Sequence, residues 1–124
     1  MIIKNEKDIP NMPWEERPQG CEEPVWRSSQ NPIIARNPTG KFARVFNSAV
    51  VPFEGGFVGV FRAEDRSGIP HLYLGKSSDG LHYEFGDKPI HFVDEEGKEA
   101  FSHYQYDPRL VQIGSSYYIT WCDD

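Results

Sequence analysis

One carboxyl group in the sequence stands where a proline restrains the backbone. Asp107 lies in the string Gln105-Tyr106-Asp107-Pro108-Arg109-Leu110. The proline ring fixes its own φ and favours an extended conformation at the residue before it. A rigidly held carboxyl is suited to donating a proton to a leaving group. The alternative is structural, because an aspartate before proline often begins a turn or binds the local backbone.

An internal repeat relates Asp107 to a second polar residue. Residues 47–64, NSAVVPFEGGFVGVFRAE, align without a gap with residues 107–124, DPRLVQIGSSYYITWCDD. Apolar positions and turn residues coincide in the two strings. A repeat of this size is typical of β-propellers, in which each blade begins with a strand beside a central axis. Asn47 and Asp107 are therefore predicted to face the same axial pocket.

Further polar residues are predicted to reach this pocket. Ser48 follows Asn47, and the next predicted strand ends with Arg62, Glu64 and Asp65. Amide, hydroxyl, guanidinium and carboxylate groups together suit a sugar, whose hydroxyls donate and accept hydrogen bonds. The alternatives are that Asn47 and Ser48 form a local hydrogen-bonding motif, and that Arg62 belongs to a solvated ion pair.

Short β-branched and aromatic runs separated by turns carry these side chains. They predict a meander of four strands, VFNSAVVPF, GFVGVFRA, PHLYLGKS and LHYEF. No convincing helical period is present, so the predicted fold class is all-β. We expect an irregular wrapping segment over residues 1–44, followed over residues 45–124 by about one and a half propeller blades. Because blades bury their faces against neighbours, we expect the chain to be a fragment of a larger protein.

Composition and charge exclude several function classes. The 124 residues are 38% hydrophobic and 14% aromatic, as in globular domains, and the formal net charge is −6. The acidic residues are scattered, so no nucleic-acid partner is expected. No uncharged run has the length of a membrane span or a signal core, so we expect no membrane contact and a cytoplasmic location.

Cysteine and histidine spacing gives no sign of a metal site. Cys21 and Cys122 lack metal-ligand spacing and are predicted to be free buried thiols, with a disulfide as the alternative. The four histidines show no HxH or HxxxH spacing and are predicted to be surface or strand residues. We therefore expect no metal.

Several segments, taken in order, resemble one family of sugar-active enzymes. They are PWEERP, WRSSQNPII, VFNSAVVPF with GFVGVFR, the SSDG turn, and YDPRL followed by YYITW. In this order and spacing they resemble the mannosyl phosphorylases of glycoside hydrolase family 130. The WEERP and NSAVVPF segments are most similar to members that act on mannosyl-N-acetylglucosamine or on β-1,4-mannooligosaccharides.

The resemblance implies a five-bladed β-propeller in which inorganic phosphate cleaves a terminal β-1,4-mannosyl bond, with inversion, to give α-mannose 1-phosphate. Asp107 matches the proton donor, which acts through the mannosyl 3-hydroxyl. Asn47, Ser48, Arg62 and Tyr106 match residues at the mannosyl site. Phosphate is a co-substrate, and no cofactor is expected. The family's phosphate-binding residues lie beyond position 124, so we expect this chain alone to be inactive; the full-length protein is expected to form a homo-oligomer, as family members often do.

Two other functions remain open on the sequence. One is a hydrolase of the same family, which needs a second carboxylate to activate water. The other is a non-catalytic propeller that binds glycan or protein, for which Asp107 would be dispensable.

Overall fold

All regular elements in the described part of the chain are β-strands. A computed structural model describes residues 15–100 and 102–124. The all-β prediction is confirmed for those residues, and none of them belongs to a helix long and apolar enough to cross a membrane. The strands are β1 (Arg44–Phe53), β2 (Gly56–Glu64), β3 (Pro70–Ser77), β4 (Glu84–Phe85), β5 (Gln105–Ile113) and β6 (Ser116–Asp123).

The first four strands form one antiparallel sheet in chain order, and β5 pairs with β6 in a second sheet. The predicted meander is therefore confirmed. Valine and phenylalanine are frequent in β1 and β2, and such side chains favour extended backbone. The turn between these strands holds Glu54 at φ 48° and Gly55 at φ 79°. Two successive left-handed residues give a hairpin turn whose twist matches that of the strands.

The fourth strand is shorter than the sequence predicts, because a side-chain turn takes up its first residues. Only Glu84 and Phe85 of the run LHYEF pair with β3. The Asp79 carboxylate accepts hydrogen bonds from the amides of Leu81 at 2.8 Å and His82 at 2.9 Å. Amides bound in this way are not available to a sheet ladder. A hydrogen bond from the His82 ring, together with these amide bonds, lowers the pKa of Asp79.

The internal repeat is present in the structure as two hairpins with the same register. In the first hairpin Ala49 lies opposite Val60, and at the equivalent place in the second Arg109 lies opposite Thr120. Each ladder is also interrupted by one irregularity shortly before this pair. The sequence repeat therefore specifies a repeated pairing pattern as well as a repeated polarity pattern.

Phe61 is the centre of the core on one face of the larger sheet. Its ring lies over Gly59 and Gly75, which face each other across β2 and β3. A Cβ added to either glycine would lie 2.6 Å from ring carbon Cε2. The Phe61 ring also packs edge-on against Tyr83 and Phe85, with centroids 5.0 and 5.1 Å apart. Burial raises the pKa of Tyr83, so its hydroxyl stays protonated within this cluster.

The opposite face of that sheet is in contact with β5. Arg62 and Leu72 lie side by side on this face, and β5 runs along β1, β2 and β3. The buried Gln105 side chain accepts a hydrogen bond from the Leu72 amide at 3.4 Å. Pro108 of β5 is also fully buried. By contrast, β6 leaves apolar side chains such as Tyr118 exposed.

Before β1, the described chain forms turns and bends that side-chain contacts hold together. The Glu15 carboxylate accepts hydrogen bonds from the Ser29 amide at 2.7 Å and the Ser28 hydroxyl at 2.9 Å. The bonds from Ser29, followed by that from Ser28, lower the pKa of Glu15. Arg17 lies 4.8 Å from the centre of the Trp26 ring. These contacts join the WEERP and WRSSQNPII segments to each other.

Other predictions for the flanking regions have mixed outcomes. Residues 1–14, including Trp14 of the first motif, lie outside the described residues, and the domain boundary at residue 44 stays a prediction. Both cysteines are free. The prediction that they are buried is wrong for Cys122, which is exposed, while Cys21 is half-buried. Cys122 is exposed because β6 has no strand on its outer side among the described residues.

Replacing Gly59 with alanine is expected to destabilise the protein by about 1–3 kcal/mol, because the added methyl group overpacks the core. Its Cβ would lie 2.6 Å from the Phe61 ring and 3.0 Å from the Ala49 carbonyl oxygen. Urea unfolding measures the change. Gly40→Ala is the matched control, since nothing lies within 4 Å of a Cβ there. Equal stability of the two variants would contradict this description of the core.

Candidate functional site

Two β-bulges place the candidate side chains at one point of the fold. The ladder of β1 shifts register between residues 45 and 48, and that of β5 shifts between residues 106 and 109. The extra residues of a bulge redirect nearby side chains. Here the Asn47 amide donates a hydrogen bond to Oδ1 of Asp107 at 2.5 Å. The structure thus brings together the two residues related by the repeat, although they lie inside the strands rather than at their first residues.

Asp107 has an unusual backbone conformation. Its φ is 51°, in the left-handed region, so the expectation of extended backbone before the proline is wrong. The bulge turns the chain at this position, and aspartate tolerates left-handed backbone better than most residues do. Nη1 of Arg109 donates a hydrogen bond to the Pro108 carbonyl at 3.0 Å, beside the bulge. A non-glycine residue held in this region is a reason to suspect function.

Arg62 lies between two acidic side chains and two aromatic rings. Its Nη2 donates to Oε1 of Glu64 at 2.7 Å, and its Nη1 lies 3.7 Å from Oδ1 of Asp107. The guanidinium carbon is 5.0 Å from the centre of the Phe46 ring and 5.8 Å from that of Tyr106. Only 20% of the Arg62 side chain is exposed. The alternative of a solvated ion pair is therefore wrong for this residue.

Glu64 is the most deeply buried charged group of the site. Its side chain is 7% exposed, and besides Arg62 it pairs with Nη2 of Arg44 at 3.2 Å. Arg44 lies directly opposite Glu64 in the β1–β2 ladder. Sequence reasoning named Glu64 but missed Arg44 and Phe46. The pairing of β1 with β2 places Arg44 opposite Glu64 and would have revealed Arg44. Phe46 lies at the bulge, where strand alternation does not predict the direction of a side chain.

Two residues of the predicted polar cluster interact with their own local backbone. The Ser48 hydroxyl donates to the Phe46 carbonyl at 2.7 Å, as in the alternative of a local motif. The Asp65 carboxylate accepts hydrogen bonds from the Ser67 hydroxyl and from the Ser67 amide, the latter at 2.7 Å, and these bonds lower the pKa of Asp65. Asp65 therefore caps the turn before β3. A role of Ser48 in binding stays a prediction.

Tyr106 presents a phenol next to the candidate acid. Its ring packs against Tyr104 with centroids 5.7 Å apart. The negative charge of Asp124 is the largest of the effects that raise the pKa of Tyr106. The hydroxyl therefore stays protonated at neutral pH and is available as a hydrogen-bond donor.

The side chains around Asp107 are arranged so that an uncharged polar ligand could bind next to its carboxyl group. Asp107 is 34% exposed, so its carboxyl is held by neighbours and still open to a ligand. A cavity of about 260 Å³, lined in part by Arg44 and Phe46, adjoins the site, while larger cavities of about 420 and 530 Å³ lie elsewhere.

Within residues 15–100 and 102–124, no three His, Cys, Asp or Glu side chains come together as metal ligands would.

The histidines lie where the sequence predicts. His71 is in β3, and the other three are exposed. His82 pairs with Asp79 at 2.7 Å, and His91 pairs with Glu99 at 3.3 Å.

Comparison with known proteins gives a family match over most of the chain. The sequence profile of glycoside hydrolase family 130, described as β-1,4-mannooligosaccharide phosphorylase, matches residues 5–124. The chain is also 39% identical, over 127 aligned positions, to a β-1,4-mannooligosaccharide phosphorylase of Ruminococcus albus. That alignment covers 98% of this chain and 38% of the relative, so the chain spans less than half the length of the protein that it resembles.

Asp107→Val is expected to be less stable than Asp107→Asn by about 1–2 kcal/mol, because left-handed backbone is costly for a β-branched residue and tolerated by asparagine. Both substitutions remove the same charge, and valine also removes the acceptor for the Asn47 amide, a loss that the comparison at position 47 below shares. Chemical denaturation measures it. At the equivalent position 47, which has no positive φ, the wild-type asparagine and Asn47→Val form the matched comparison, with a smaller difference expected. Similar differences at the two positions would show that the left-handed conformation carries no cost.

Proposed function

We propose, from the premise that the chain belongs to glycoside hydrolase family 130, that the protein containing it is an inverting phosphorylase of terminal β-1,4-mannosides. Phosphate attacks the anomeric carbon as the glycosidic bond breaks, a C–O bond to phosphate forms, and the leaving oxygen takes a proton. The products are α-mannose 1-phosphate and the shortened acceptor. The observation that carries this proposal is the Asn47–Asp107 hydrogen bond within a matching family sequence.

Asp107 is the proposed proton donor, acting through the mannosyl 3-hydroxyl. Its carboxyl is accessible and is fixed by the Asn47 amide, so it is presented to a ligand in one orientation. Asn47, Arg62 and Tyr106 supply hydrogen-bond donors around it, which suits the hydroxyl groups of a mannosyl unit. Ser48 is included because the family resemblance implies it, although its hydroxyl donates a hydrogen bond to the Phe46 carbonyl.

Phosphate is proposed to bind to residues outside this chain. The two arginines at the site, Arg44 and Arg62, are both paired with Glu64, and Arg62 also faces Asp107. Each arginine therefore already has a carboxyl partner, and Arg62 is held closely by Glu64, which leaves neither guanidinium free to bind a dianion. On this proposal the isolated chain is inactive.

The same pairing favours phosphorolysis over hydrolysis among the residues of this chain. An inverting hydrolase needs a second carboxylate that activates water. Glu64 is the second carboxylate of the cluster, but it is buried and each of its oxygens contacts an arginine. It is thus poorly placed to accept a proton from water. Phosphate is already anionic and needs no such base.

The substrates are proposed to be β-1,4-mannooligosaccharides or mannosyl-N-acetylglucosamine. The name of the Ruminococcus albus relative supports the first, and the WEERP and NSAVVPF segments support either. No cofactor is required by this chemistry. A cytoplasmic location and a homo-oligomeric full-length protein complete the proposal.

The fold proposed for the whole protein is a five-bladed β-propeller. Strands β1 to β4 correspond to one blade, and β5 with β6 corresponds to the inner half of the next. The repeated register of the two hairpins supports this. So does the exposed apolar surface of the second hairpin, where Val111 and Ile113 are at least half exposed. Further strands pairing with β6 would cover such a surface.

The phosphorolysis assay measures mannose 1-phosphate released from β-1,4-mannobiose and from mannosyl-N-acetylglucosamine in the presence of phosphate. The 124-residue chain and the complete gene product are compared, each with and without Asp107→Asn. We expect activity in the complete product only, and a loss of about 10²- to 10⁴-fold on substitution, because the general acid is removed. Asp87→Asn, which removes an exposed carboxylate paired with Lys41, is the control and should remain active.

Two outcomes would contradict the proposal in different ways. Mannose released equally well without phosphate would identify a hydrolase. Glycan binding without turnover, unaffected by Asp107→Asn, would identify a binding module.

A further inference from the structure

We propose that Glu64 is a positioning residue that orients Arg62, and through it the proton donor Asp107. The inference rests on the proposed function for its catalytic readout. Its structural basis is one continuous chain of contacts, in which Glu64 holds Arg62 at 2.7 Å and Arg62 reaches Asp107 at 3.7 Å. Glu64 itself does not contact the mannosyl unit in this proposal.

The burial of Glu64 indicates that its charge has a specific task. A carboxylate taken out of water is costly unless it is paired and hydrogen-bonded. Glu64 is 7% exposed, and its two oxygens contact different arginines, Arg62 and Arg44. An apolar residue at this position of β2 would avoid the cost of burial. The charge is instead matched to Arg62, whose guanidinium is itself mostly buried.

The planar guanidinium group of Arg62 contacts aromatic rings as well as the Glu64 carboxylate. The ring of Phe46 and the ring of Tyr106 lie within 6 Å of the guanidinium, at distances that give a favourable cation–π interaction. The Nε atom is buried and has no hydrogen-bond partner among the residues that the structure describes. The two Nη groups therefore make the polar contacts, one with Glu64 and one with Asp107.

The different lengths of these two contacts are the core of the inference. Arg62 makes a close hydrogen bond to Glu64 and a looser contact with Asp107. Without the charge of Glu64, the guanidinium is expected to turn toward Asp107 and form a close pair with its ionised carboxylate. An ionised carboxylate cannot donate a proton, and the Asn47 hydrogen bond would have to compete with the arginine. Glu64 thus holds Arg62 near Asp107 and prevents it from forming a close ion pair with the Asp107 carboxylate.

The test replaces Glu64 with glutamine in the complete gene product. Glutamine keeps the shape and one oxygen acceptor but removes the charge. We expect kcat for phosphorolysis to fall by at least about tenfold, with KM for the mannoside changing by less than about threefold, since the loss acts on proton donation rather than on ground-state binding. Asp87→Asn removes the same charge from an exposed ion pair outside the cluster and should leave both constants unchanged.

A second readout does not depend on turnover. In protein labelled with ¹⁵N-arginine, the buried Nε–H of Arg62 should give a slowly exchanging signal in the wild type and in Asp87→Asn, and this protection should be lost in Glu64→Gln. An unprotected Arg62 signal in the wild type would overturn the proposal even if the glutamine variant failed to fold. So would a glutamine variant with unchanged Arg62 signals and unchanged kcat per folded molecule.

The two readouts separate this inference from the proposed function. If the wild-type protein releases no mannose 1-phosphate, the proposed function fails. The exchange of the Arg62 signal then still decides whether Glu64 orients the arginine.

Discussion

The hydrogen-bond ladder between β1 and β2, with its single bulge, is the constraint from which the site follows. Residues before the bulge pair Arg44 with Glu64, and residues after it pair Ala49 with Val60. Because of the irregularity between these pairs, the regular alternation of side chains along a strand does not set the direction of the Asn47 side chain. The ladder between β5 and β6 repeats this pairing and its bulge, so the same holds for the Asp107 side chain. When the second hairpin packs against the first sheet, the two irregular positions meet in the Asn47–Asp107 hydrogen bond.

The charges around this contact are arranged so that no member is left unpaired. Arg44 and Arg62 face the carboxyl groups of Glu64 and Asp107. The pairs differ in exposure, since Glu64 is buried and Asp107 is open to solvent. An ion pair that is buried needs good geometry to offset desolvation, whereas an exposed one contributes little. The buried half therefore gives the cluster its fixed shape, and the exposed half remains free to exchange its partners for those of a ligand.

Much of the fold could be predicted from the sequence, and the reasons for the failures are local. Strands β1 to β3 follow from branched and aromatic runs between turn residues, and the offset between the two hairpins is visible as a repeat. The sequence pattern begins β4 too early, because the Asp79 carboxylate binds the amides of the first residues that the pattern assigns to this strand. The left-handed backbone of Asp107 was missed because a bulge overrides the preference set by Pro108. Phe46 was missed for the related reason that alternation no longer predicts side-chain direction beside a bulge.

The site lies between two sheets, and this position links stability to function. Asn47 and Arg62 belong to the first sheet, whereas Asp107 and Tyr106 belong to the second. Apart from these polar contacts, the sheets are joined by the packing of β5 on the face that carries Leu72, including the bond from its amide to Gln105. A change that loosens this packing would separate the acid from its amide partner without altering either residue. The orientation of the acid therefore depends on packing that is apolar for the most part, and the polar cluster can act as one unit only while that packing is intact.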